Sequence, residues 1–264
     1  MNKKTSIIVS VIIILIAAAS YWTYKDFFAF KAENVGVKDT GEQTIGGVSY
    51  EVVEVNSGAD VSAEDNIQFK KMALEIANMP VVFSSEASEA SKEKAKTTIE
   101  ELNKQISEDY YRLDLLLDLG IKRQFAGDYI GTVKVLEFAG LVFPKNYISF
   151  QNLGFVQGFY LKDYKKSEEN YLKSLENDPT NTQVYLDLVD IYNFSGQAEK
   201  IPEFLKSSLK NAGNANEAQL KVLLAKYYAD IKDDANAIKY YEEVLAIDPT
   251  NTAIKQEVER LRAL

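Results

Sequence analysis

The pentapeptide Asp-Pro-Thr-Asn-Thr occurs twice in this chain of 264 residues, first at Asp178 and again at Asp248. The prolines within it, Pro179 and Pro249, lie 70 residues apart, and Pro144 precedes the first of them by 35 residues. Regular spacing of this kind is typical of a chain built from stacked copies of one small helical unit. Aligned on the prolines, the sequence divides into four units, 113–146, 148–181, 182–215 and 218–251.

Residue sizes inside the units follow one pattern. A small residue recurs where two antiparallel helices must approach each other closely, at Thr132, Ser167 and Ala237. A large residue four positions later fills the gap to the next unit, at Leu136, Tyr171, Leu205 and Tyr241. With Leu119-Gly120 in a first helix and a closing proline, the pattern resembles the tetratricopeptide repeat family.

Each unit departs from the family pattern somewhere. Arg123 and Gly158 stand where the family has tyrosine, and Leu153-Gly154 is one residue out of register in the second unit. Pro202 falls inside the expected second helix of the third unit, which predicts a late start or a kink. The resemblance still implies a mainly α fold, a right-handed α-solenoid of about four helix-turn-helix units over 108–251.

The segments on either side of the repeats are predicted to cover their ends. Residues 252–264 carry apolar side chains on one helical face and are predicted to form a C-terminal capping helix. Residues 84–107 are predicted as a linker or capping helix, because apolar residues recur there at helical spacing from Ala95 onward. These segments would shield the apolar faces of the terminal units.

The first residues of the chain predict a membrane anchor. Residues 7–24 are uncharged, follow a short tail at 1–6 with two lysines, and end in aromatic residues typical of a bilayer interface. We expect a single-pass protein with its N-terminus in the cytoplasm and its C-terminal domain outside the cytoplasmic membrane. The alternative is a secreted protein, because Ala17–Ala19 suits signal-peptide cleavage before Ser20.

Residues 25–83 are predicted as a juxtamembrane segment. Alternating apolar and polar residues over 48–52, after two glycines, predict one strand of a hairpin with a partner strand near 34–38. A helix is expected between about Ser62 and Asn78, where Pro80 would stop it. Two strands alone are marginally stable in water, so the hairpin must pack on something or pair with another chain.

Composition argues against several kinds of function. The chain has no histidine and no cysteine, which excludes Ser-His and Cys-His nucleophiles and the usual zinc ligand sets. A net charge of −9 argues against nucleic acid as the main partner. We therefore predict a protein that is not an enzyme, with no catalytic or metal-binding residue and no cofactor.

The resemblance implies a binding groove lined by the first helix of each unit, with a protein or peptide segment as the partner. The predicted groove residues are Leu117, Ile121, Asn152, Val156, Leu186, Asp190, Val222 and Lys226. Only Asn152 and Lys226 could clamp a C-terminal carboxylate, so this ligand is disfavoured. Packing within the solenoid is the competing interpretation of Leu117, Ile121 and Val156, and the many tyrosines are interpreted mostly as core residues.

Two functional hypotheses follow. The first is a membrane-tethered interaction scaffold that uses the groove. The second is a structural subunit of an envelope assembly that associates through its transmembrane and juxtamembrane parts.

Overall fold

The structure of the protein, a computed structural model, describes residues 42–45, 48–51, 63–85, 88–211 and 216–263. The chain forms two compact units, 1–60 and 61–264. The predicted anchor at 7–24 lies outside the described residues. Of the helices that the structure does describe, none is both long and apolar enough to cross a bilayer.

The described part of the first unit is a two-stranded antiparallel ribbon. Strand β1, Glu42–Ile45, pairs with β2, Val48–Glu51, so that Ile45 lies opposite Val48. The segment 34–38, predicted as the partner strand, lies outside the described residues. The described partner of β2 is therefore β1, which comes later in the chain than predicted.

The second unit is a stack of helices. Their bounds are α1 Ala63–Ala77, α2 Glu89–Glu108, α3 Leu113–Ala126, α4 Tyr129–Val142, α5 Tyr147–Phe155, α6 Tyr164–Asn177, α7 Thr182–Phe194, α8 Ile201–Asn211, α9 Glu217–Asp230, α10 Asp234–Ile247 and α11 Thr252–Arg262. The pairs α3/α4, α5/α6, α7/α8 and α9/α10 match the four predicted units. The all-helical solenoid is thus confirmed, and α11 packs on α10 at its end.

The repeated pentapeptide ends one helix and begins the next. The Asp178 carboxylate accepts hydrogen bonds from the Thr180 amide and hydroxyl, at 3.0 and 2.6 Å. Asp248 makes the same two bonds with Thr250, at 3.0 and 2.7 Å. This aspartate turn competes with helix continuation and fixes the boundary between units.

Helices α1 and α2 close the N-terminal end of the solenoid. Phe69 of α1 contacts Phe138 of α4 edge-to-face, with ring centroids 6.3 Å apart. The Tyr110 hydroxyl donates to the Asn66 side-chain oxygen at 2.9 Å. Helix α1 therefore belongs to the same compact unit as the repeats. The predicted juxtamembrane segment, 25–83, includes the residues of α1.

Arg123 explains one departure from the repeat pattern. It is fully buried, and its guanidinium lies 2.6 Å from the Asp128 carboxylate. The same group donates to the carbonyl oxygens of Met79 and Pro80, at 2.7 and 3.3 Å. Arg123 thus holds the connection between α1 and α2 against the end of α3, a role that tyrosine, with a single hydroxyl, could not fill.

Pro202 does not kink the second helix of the third unit. A single 3₁₀ turn, Ala198–Lys200, precedes α8, which starts at Ile201. Pro202 therefore lies in the first helical turn, where its missing N–H breaks no hydrogen bond. Of the two outcomes predicted from the sequence, a late start or a kink, the structure shows the late start.

The turn inside each helix pair needs a residue with positive φ. This residue is Gly127 in the first unit and Gly196 in the third, but Lys162 (φ 58°) in the second and Lys232 (φ 62°) in the fourth. A side chain in this left-handed conformation costs about 1–2 kcal/mol. The two lysine turns are therefore strained compared with the glycine turns.

Replacing Lys162 or Lys232 by glycine should raise the free energy of unfolding by about 0.5–1 kcal/mol each, because glycine adopts the conformation without strain at some entropic cost. Urea denaturation would measure the change. The matched control is Lys94→Gly, at an exposed site within α2, which should lose about 1 kcal/mol. A loss at the turn sites would contradict the prediction.

Candidate functional site

The first helices of the last three units lie side by side. Hydrogen bonds join their N-terminal ends, from the Asn181 amide to the Gln151 side-chain oxygen at 2.8 Å and from the Thr182 hydroxyl to Asn216 at 2.9 Å. We call the exposed surface of α3, α5, α7 and α9 the first-helix face. It contains most of the predicted groove residues.

The structure places the predicted groove residues at different depths. Asp190 and Lys226 are exposed, and five others are half-buried: Leu117, Ile121, Asn152, Leu186 and Val222. Leu117 packs against the Leu136 and Phe150 cluster, as the packing interpretation required. Val156 is fully buried and cannot touch a partner, so it does not line the groove as predicted.

A π-helical turn, Val156–Tyr160, accounts for the error in the second unit. The Gly120 carbonyl accepts a hydrogen bond from Thr132, 12 residues later, whereas the equivalent Gly154 carbonyl accepts from Ser167, 13 residues later. Compared with the first unit, the second unit therefore has one extra residue, which lies between Gly154 and Ser167. Counted from Gly154, the groove positions of this unit are Gln151 and Phe155.

The π-helical turn presents aromatic rings in a continuous strip. Phe155 lies 5.0 Å from Phe159 and 5.7 Å from Tyr160, between ring centroids. Tyr160 stacks on Tyr129 at 4.3 Å, and Phe159 contacts Phe194 of α7 edge-to-face at 5.9 Å. We call these five residues the aromatic strip, which joins three helices, α4, α5 and α7.

An exposed aromatic residue recurs at one position of the repeat. Phe125, Tyr160 and Phe194 each stand two residues before the turn residue with positive φ, and they are 70%, 42% and 57% exposed. Sequence reasoning missed this set because it interpreted aromatic residues mostly as core. An aromatic residue two places before the turn glycine, at 125 and 194, was the signal that could have revealed it.

Two carboxylates continue the aromatic strip along α7. The buried Asp187 accepts hydrogen bonds from Gln183 at 2.7 Å and from the Tyr171 hydroxyl at 3.1 Å. Burial raises the pKa of Asp187 to about 6, against the opposing effect of these two donors, and the nearby Asp190 adds to the rise. Partial burial also raises the pKa of the Asp190 carboxyl. When Asp187 and Asp190 are ionised, they thus carry negative charge where burial disfavours the charged form.

We expect Asp187→Asn to stabilise the protein at neutral pH and not at pH 4. The folded protein holds a proton on Asp187 where the unfolded chain has lost it, so this group lowers stability as pH rises from about 4 to about 6. The full step is on the order of 2–3 kcal/mol. Denaturant midpoints of variant and wild type, compared between pH 4 and 7.5, would measure it.

Asp248→Asn is the control for this pH-dependent change in stability. Hydrogen bonds from Thr250 lower the pKa of Asp248, so its carboxylate stabilises the fold above its ordinary pKa, and that contribution is lost as pH falls. Its replacement should therefore be unfavourable at neutral pH, the opposite sign to Asp187→Asn. A difference between wild type and Asp187→Asn that does not change with pH would contradict the assignment.

Comparison with known proteins finds similarity to the tetratricopeptide repeat family in the fourth unit of the solenoid. The family model described as "Tetratricopeptide repeat" matches residues 218–251, which contain α10 and all of α9 except its first residue. No curated protein matches the chain. The family match therefore covers the fourth unit.

Several solved structures are similar in part. One is the C-terminal part of a TPR repeat-containing protein from Cytophaga hutchinsonii, at 22% identity and a TM-score of 0.47, covering 62% of this chain and 67% of that one. A thermophilic TPR protein from Thermus thermophilus has 11% identity and a TM-score of 0.41, covering 74% and 100%. Pseudomonas aeruginosa pilF has 18% identity and a TM-score of 0.42, covering 76% and 83%. None of these likenesses decides what this chain binds.

Proposed function

We propose that this protein is a non-enzymatic scaffold that binds a protein or peptide segment on its first-helix face. The aromatic strip is the observation that carries the proposal. Its rings form one connected surface across unit boundaries, and Tyr160 and Phe194 remain 42% and 57% exposed. Contiguous exposed aromatic surface is costly in water and typical of a binding site.

The local structure supports this use of the strip. A π-helical turn within an α-helix is often found at functional sites, and here it turns Phe159 and Tyr160 toward their neighbours. Gly158, inside this turn, lies so close to Ile191 and Ser167 that a side chain would collide with both. The strip is therefore held against α6 and α7 before a partner arrives, which lowers the entropic cost of binding.

The proposal includes a membrane tether. The uncharged run at 7–24 would anchor the chain, with the repeats outside the cytoplasmic membrane. Confinement to one surface raises the effective concentration of scaffold and partner, so that modest affinity at the first-helix face would suffice.

Photo-crosslinking from single sites in the full chain, in cells, tests this function. A photoreactive residue at Phe194 or Phe125 should crosslink one and the same partner. The control site is Ile247, which is 48% exposed but lies on α10, a second helix of its pair. The partner band at 194 should also weaken when Phe155→Ser is added. Equal crosslinking from 247, or no effect of Phe155→Ser, would overturn the proposal.

A further inference from the structure

We propose that the segment bound on the first-helix face carries a lysine or arginine flanked by large apolar side chains. This inference rests on the proposed function and names the chemistry of its partner. Its basis is that two carboxylates lie on the same helical face as an exposed end of the aromatic strip, with no lysine or arginine of the described residues at ion-pair distance.

Asp187, Asp190 and Phe194 share one face of α7. They stand at positions i, i+3 and i+7, which lie above one another on an α-helix. Asp187 and Asp190 are one helical turn apart, and the charge of Asp190 adds to the rise in the pKa of Asp187. A ligand that lies along this face therefore meets an apolar surface and then negative charge.

Several acids of the solenoid have a cation at ion-pair distance. Asp118 lies 3.2 Å from Lys122, Glu168 lies 2.9 Å from Lys200, and Lys221 pairs with both Glu217 and Glu243. Within the residues that the structure describes, Asp187 and Asp190 have no lysine or arginine at ion-pair distance. In the part of the chain that the structure describes, Asp118, Glu168, Glu217 and Glu243 thus have a lysine partner, whereas Asp187 and Asp190 do not.

A cation from the partner would relieve this imbalance. A charge brought beside Asp190 on a surface that is being desolvated interacts more strongly than one in open water. The same cation could lie over a ring of the strip, as Lys173 lies 4.5 Å from the centre of Phe150 elsewhere in this molecule. The net charge of −9 would also steer a cationic segment toward the protein.

Selection from a displayed library of random peptides, with the full chain as the target, tests the inference. Enriched peptides should combine lysine or arginine with aromatic or aliphatic residues. For one enriched peptide, Asp190→Asn should weaken binding about tenfold or more, and so should a change of the peptide's basic residue to glutamine. Fluorescence anisotropy would measure both. Glu259→Gln, on the exposed surface of α11, is the matched control and should leave the affinity unchanged.

The outcomes separate this inference from the proposed function. If Phe194→Ala abolishes binding while Asp190→Asn has no effect and the enriched peptides lack cations, the face binds but the inference is wrong. If neither change weakens binding, or no peptide is enriched, the proposed use of the face fails as well. A helical content equal to wild type, measured by circular dichroism, would show that each variant is folded.

Discussion

Replacing Arg123 by methionine should lower the free energy of unfolding by about 3–5 kcal/mol. Methionine matches much of the buried volume but leaves the Asp128 carboxylate, 4% exposed, without its counter-charge. It also removes the donors to the Met79 and Pro80 carbonyls, which hold the connection between α1 and α2. Chemical denaturation followed by circular dichroism would measure the loss.

The control is Arg112→Met. Arg112 also pairs with an aspartate at 2.6 Å, but its side chain is 41% exposed and that of Asp114 is 29% exposed. A solvent-screened pair of this kind contributes about 1 kcal/mol or less. In the double variant Arg123→Met/Asp128→Asn, part of the loss should return, because the asparagine carries no unpaired charge and can still cap α4. A loss under 1 kcal/mol for Arg123→Met alone would contradict the buried-pair argument.

Gly154→Ala should destabilise the protein by about 1–3 kcal/mol. A methyl group there would lie 2.7 Å from two ring atoms of Tyr171, which is fully buried and cannot move aside. The gain of about 1 kcal/mol from replacing glycine by alanine within a helix does not offset this overlap. Thermal or urea denaturation of the full chain would measure the balance.

Gly120→Ala is the matched control, since it is the equivalent position of the first unit. The added methyl would meet the end of the flexible Leu136 side chain, at 3.0 Å, so a small rotation can accommodate it. The clash and the helix-propensity gain should nearly cancel, leaving a change of under about 1 kcal/mol. Equal effects at Gly120 and Gly154 would contradict the predicted difference between packing on Leu136 and packing on Tyr171.

The packing at Gly154 matters for the proposed function as well as for stability. Gly154 seats α5 on Tyr171, whose hydroxyl in turn donates to Asp187. The same helix presents Phe155 to the aromatic strip. Packing at Gly154 therefore positions both the rings and the acidic pair that we propose bind the partner.

Much of the fold could be predicted because its signals are local. The Asp-Pro-Thr-Asn-Thr turns depend on side chains that hydrogen-bond within two residues of themselves, as Asp178 does with Thr180. Small and large residues at fixed spacing also predict the helix pairs, because this spacing too is a local feature of the sequence. The role of α1 was not predicted, because its contacts with Phe138 and Tyr110 connect residues more than forty positions apart.

The sequence by itself determined the repeat length, the unit boundaries and the absence of histidine and cysteine chemistry, because each depends on composition or short-range spacing. Only the tertiary structure decided which residues are exposed on the first-helix face. The sequence shows Leu153-Gly154 one residue out of register in the second unit, but only the structure shows that the extra residue is accommodated as a π-helical turn. That placement buries Val156 and brings Phe155 to the surface, beside rings from neighbouring helices.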